Sequence, residues 1–64
     1  MKQITDNFTD EQKNIIAKTL WNVNTIGFDL EEIQFDENNN VSYILIDKTL
    51  RKKIIKFDRN GEEL

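Results

Sequence analysis

The chain has no cysteine, no histidine and no proline. Without cysteine there is no disulfide, no thiolate nucleophile and no cysteine zinc site. Without histidine it lacks the commonest general base and the commonest metal ligand. The hydroxyls of Thr5, Thr9, Thr19, Thr25, Ser42 and Thr49 therefore have no imidazole to activate them. The only glycines are Gly27 and Gly61, too few for a loop that cradles phosphate through its backbone. No apolar stretch approaches the roughly 20 residues that span a bilayer. Met1 to Asp6 has no apolar run behind its charge, so no signal peptide is expected there. The absence of proline leaves any edge strand without that protection against pairing.

These absences set the expectation of a protein that is not an enzyme. It should need no cofactor and no metal, take no small-molecule substrate and contact no membrane. The lack of cysteine fits a reducing compartment, and a cytoplasmic location is expected.

What is present points to one small folded unit. Sixty-four residues, 38% of them apolar and 33% charged, make a single domain of marginal core size. Domains this small often lean on a disulfide, a metal or a second subunit; only the last of these common staples remains here. Isoleucine, asparagine and lysine are abundant, a bias of AT-rich genomes such as those of many bacteria and their phages.

The order of elements can be read from local signals. Phe8-Thr9-Asp10-Glu11-Gln12 opens a helix, with Thr9 as N-cap and Gln12 completing a capping box. Asp10 and Glu11 lie where the helix dipole favours negative charge. Gly27 reads as the left-handed residue that closes the helix, with Val23 and Phe28 as the accompanying apolar pair. At about 100° per residue, Ile15, Ile16, Leu20 and Val23 share one face, with Phe8 and Ile26 at its edge. Period-two alternation follows, in Ile33 and Phe35 against Glu32, Gln34 and Asp36. Val41, Tyr43 and Leu45 against Ile44 and Ile46 make a second strand, apolar on both faces and so expected in the centre, covered twice. Lys53-Ile54-Ile55-Lys56-Phe57 is a third. The expected fold is α+β: one N-terminal helix, about 9–26, packed on a three-stranded antiparallel meander with strands at about 30–36, 41–47 and 52–58. Ile33-Gln34-Phe35-Asp36-Glu37-Asn38 and Ile55-Lys56-Phe57-Asp58-Arg59-Asn60 echo each other, and both read as a strand running into a turn.

Four surfaces are candidates for function. Trp21 falls nearly opposite the apolar stripe of the helix, flanked by Ala17, Asn14, Lys18 and Thr25. An exposed tryptophan is the side chain most enriched among binding hot spots, because it buries much area with few torsions. Ala17, Lys18, Trp21 and Thr25 are thus the expected protein-binding set. The alternative is that the helix rotates a little, or the termini cover Trp21, making it peripheral core. The segment Met1 to Phe8 is also a candidate to fold across the open face and hide leftover apolar surface.

Net charge is −3, unevenly placed. Asp29, Glu31, Glu32, Asp36 and Glu37 form an acidic run that suits a basic target surface. Lys48, Arg51, Lys52, Lys53 and Lys56, with Arg59 beyond, form a basic segment. They carry the alternative reading of a nucleic-acid-binding protein, with Tyr43 the one nearby aromatic able to stack on a base. Strand alternation splits that cluster, with Lys52 and Lys56 on one side and Lys53 on the other. Finally, Asp36, Asn38, Asn40, Ser42 and Asp47 have the spacing of calcium-loop ligands, but Val41 stands where such a loop needs glycine and Asp47 where it needs glutamate. An asparagine-rich turn explains them without metal.

The resulting expectation is a small non-enzymatic protein-binding module. It would be an accessory or inhibitor protein of phage or mobile-element type that binds a macromolecular target or a second copy of itself.

Overall fold

The computed structural model describes residues 7–64. Helix α1 (Asp10–Thr19) runs into one turn of 3-10 helix, Leu20–Asn22. Strands β1 (Asp29–Phe35), β2 (Val41–Ile46) and β3 (Lys52–Phe57) follow. They form one antiparallel sheet in the order β1-β2-β3, the expected αβββ meander with β2 in the centre.

The start of α1 is set locally. The Gln12 N–H donates to the Thr9 side chain at 3.1 Å, and the Thr9 N–H donates to Gln12 Oε1 at 3.0 Å. Two of the helix's orphan donors are thereby satisfied.

The end of the helix differs from the expectation. Regular helix stops at Thr19, and by Val23 the backbone is extended, with ψ 117°. Gly27 is left-handed, with φ +81°, but it belongs to a turn closed by the Phe28 N–H on the Thr25 carbonyl, several residues beyond the helix. The stretch Val23-Asn24-Thr25-Ile26 consists of β-branched residues and asparagine, all poor helix formers. Glycine at the third position of such a turn supplies the positive φ that the turn itself requires.

The core also departs from the apolar wheel. Ile15, Ile16 and Val23 are buried, but Leu20 is 42% exposed and Ile26 is 87% exposed. Thr19 takes the place expected of Leu20, fully buried. The wheel explains this once polar residues are included, since Thr19 lies between Ile15 and Ile16 at helical spacing. Its hydroxyl donates back to the Ile15 carbonyl at 2.8 Å. With its own proton so placed, it accepts a hydrogen bond from the Tyr43 hydroxyl. Tyr43, Val41 and Leu45 of β2, with Ile33 and Phe57, complete the buried core on the helix side. Tyr43 meets Phe57 edge to face at 6.0 Å, and Phe8 meets Phe35 likewise at 5.2 Å. Phe8 thus packs on the helix side of the sheet and does not cross the other face; residues 1–6 lie outside those described. Tyr43, the one aromatic considered for stacking on a base, is at 0% exposure and belongs to the core.

Each strand ends one residue before the expected boundary, because Asp36, Asp47 and Asp58 belong to turns. These aspartates stand eleven residues apart, and the three turns they open have one design. In each, Asp Oδ1 accepts from the backbone N–H two and four residues on. In each, the aspartate N–H donates to the carbonyl four residues on, and its own carbonyl accepts from the residue three on. The residue three on is always left-handed: Asn39 at φ 62°, Leu50 at φ 66° and Gly61 at φ 93°. The echo seen in the sequence therefore has a third member, hidden because Asp47-Lys48-Thr49-Leu50 keeps only the aspartate. After the third turn Glu63 bridges to Phe57, and the Leu64 N–H reaches the Lys56 carbonyl at 2.9 Å.

Leu50 is the misfit of the set. A leucine held left-handed costs about 1–2 kcal/mol, and at 76% exposure it recovers nothing by packing. Asparagine already serves this position in the first turn. Leu50→Asn should raise stability by about 0.5–1 kcal/mol, read as a higher urea midpoint at unchanged slope. A lower midpoint would mean that Leu50 makes contacts that its exposure hides.

Candidate protein-interaction surface

The 3-10 turn that continues α1 carries the most exposed large hydrophobic side chain among the described residues. With Ile15, Ile16 and Thr19 turned inward, residues near 180° around the helix must point outward. Trp21, in the 3-10 turn, is 89% exposed. Together with Leu20 and Ala17 it lines an open recess that is mostly apolar. Lys18 on the same helix and Thr25 in the following loop are exposed but are not among the described residues lining the recess. Leu20 belongs to this surface and was missed by sequence reasoning, which assigned it to the core. The signal that would have found it is Thr19, the true centre of the inward stripe.

The acidic run does not form one patch. Glu31 and Glu32 lie together because a bulge between Leu30 and Glu32 interrupts the β1–β2 register. A bulge places two residues opposite one and re-aims their side chains. Asp36 and Glu37 sit at the far end of β1. The Asp36 carboxylate is occupied by the turn, where backbone donors of Asn40 and Asn38 hold its pKa below the ordinary 3.8. Asp47 is lowered in the same way, first by the Thr49 hydroxyl and then by the Arg51 N–H. These bonds stabilise the charged form. Asp36 and Asp47 flank opposite ends of β2, so the residues at calcium-loop spacing do not converge on one point.

The basic segment is divided as strand alternation requires. Lys53 pairs with the buried Leu45 and places its ammonium 5.6 Å from the centre of the Phe28 ring. Lys52 and Lys56 lie on the other face, where Lys52 reaches Glu31 at 3.3 Å. Arg59 pairs with Glu11 at 2.8 Å. Lys48 and Arg51 belong to the β2–β3 turn and are exposed. The result is a set of cations spread over two faces and two ends of the sheet, in place of one continuous stripe.

No helix among the described residues is long and apolar enough to cross a membrane. No protein-family model, curated protein or solved structure matches the chain.

Proposed function

We propose that this chain is a small cytoplasmic protein-binding module without catalytic activity, of the accessory or inhibitor type, and that it docks on a target protein through Ala17, Leu20 and Trp21. The observation that carries this reading is the exposure of Trp21. Large aromatic side chains usually gain more by packing than by facing water. Here Leu20 and the small Ala17 lie beside the indole, making an apolar anchor with room around it. Partner contacts of this kind concentrate binding energy in one or two aromatic residues, often 2 kcal/mol or more each.

Trp21 is the only tryptophan, so its fluorescence reports this surface alone. Affinity capture from bacterial extract, with the wild-type chain and Trp21→Ala as parallel baits, should retain a protein on the first and lose it on the second. Titration of the captured protein should move the Trp21 emission to shorter wavelength, and Trp21→Ala should weaken binding at least about 30-fold. Equal capture by both baits, or a target that leaves the emission unmoved, would remove the reading.

A further inference from the structure

The helix covers one face of the sheet. The register defines what lies on the other. Across it run the rows Gln34–Ser42–Lys56, Glu32–Ile44–Ile54 and Asp29–Ile46–Lys52. Ile44 and Ile46 are half-buried, Ile54 is 57% exposed, and none of the three packs against the core. The bulge adds Glu31 to the acidic side, where it meets Lys52 across the sheet at 3.3 Å. This face is therefore an isoleucine stripe with an acidic border on β1 and a basic border on β3.

We propose that this face is a self-association surface, on which two copies pack sheet to sheet about a two-fold axis parallel to the strands. The charge pattern selects both the partner and the axis. A rotation about the strand direction carries β1 of one copy over β3 of the other and keeps each row at its own height. Asp29 then meets Lys52, Glu31 and Glu32 lie within one row of Lys52 and Lys56, and Ile44 and Ile46 meet their own copies. A two-fold axis across the strands would stack acid on acid and base on base. Edge-to-edge pairing of identical strands fails for the same reason, since β3 would bring Lys52 and Lys56 against themselves and β1 its carboxylates. A partner of one charge would match one border and oppose the other, whereas a second copy matches both. Three strands about 5 Å apart, each about 20 Å long, make a small interface. The dimer is therefore weak and depends on ionic strength.

Sedimentation velocity on the full chain at low salt, over a dilution series, tests this. The wild type should pass from monomer to dimer as concentration rises. Ile54→Glu should weaken association at least tenfold, with circular dichroism confirming that the variant folds. Glu32→Lys and Lys56→Glu leave the Glu31–Lys52 pair intact. Each alone should be monomeric where the wild type is dimeric, and an equimolar mixture should recover the dimer, because opposite charges then face each other at both borders. A wild type that stays monomeric at millimolar concentration overturns the proposal. So does a mixture that associates no better than its components. A dimer dissolved by Trp21→Ala and untouched by Ile54→Glu would overturn it as well and move the interface to the helix side.

Discussion

Tyr43→Ala is expected to leave the chain largely unfolded at room temperature. Tyr43 is at 0% exposure on the central strand, with α1 above it and Phe57 at its edge. Truncating a buried aromatic to alanine costs about 3–5 kcal/mol. Native domains hold roughly 0.05–0.15 kcal/mol per residue, so a chain of 64 residues has about 3–10 kcal/mol in total. A single cavity at this site removes from about a third to all of that, and a domain this small sits toward the low end of the range. Far-ultraviolet circular dichroism and a urea titration read the outcome. A cooperative transition shifted by less than about 1 kcal/mol would show that the helix does not depend on this ring for its place on the sheet.

Thr19→Val should cost about 1–3 kcal/mol while leaving the fold intact. The substitution nearly preserves shape but removes the oxygen that accepts from the Tyr43 hydroxyl. That hydroxyl then has only the Ile16 carbonyl, at 3.4 Å, within a buried site. Burial already pushes the Tyr43 phenol above its ordinary pKa of 10.0. The penalty of Thr19→Val comes from a stranded polar group more than from a lost bond. Adding Tyr43→Phe removes that group too, and should return most of the lost stability. A double-mutant cycle on urea midpoints measures the coupling, expected at about 1 kcal/mol or more. Strictly additive losses would mean that the two hydroxyls act independently.

The Trp21 surface and the open sheet face lie on opposite sides of the molecule, because the helix occupies the sheet's other face and Trp21 points away from it. Self-association through the sheet would leave both copies' tryptophans exposed. A dimer of this form would present two docking sites, and a target with two matching sites would gain avidity without any new contact.

What the sequence determined by itself is local. The capping box at Thr9 and Gln12, the alternation along each strand and the turn chemistry of Asp36 and Asp58 all act over four residues or fewer. They mark where elements begin and turn regardless of what packs on them, and the αβββ order follows. The outward direction of Trp21 was legible for the same reason, since helical geometry places it opposite Ile15 and Ile16. The split of the lysines came from the two-residue period of a strand. Tertiary structure decided the rest. Thr19 stands at the centre of the inward stripe by helical spacing, but its hydroxyl is tolerated there because it meets Tyr43, 24 residues away. The bulge that sets Glu31 beside Glu32 exists only in the pairing of β1 with β2. Leu50 is held left-handed because the β2–β3 pairing closes over it, against its own preference. Among the described residues nothing packs over the other face of β2, because a single short helix can cover only one side of a sheet. Each of these depends on contacts between residues far apart in the chain, where hydrophobic pattern shows that a surface must be buried but not what buries it.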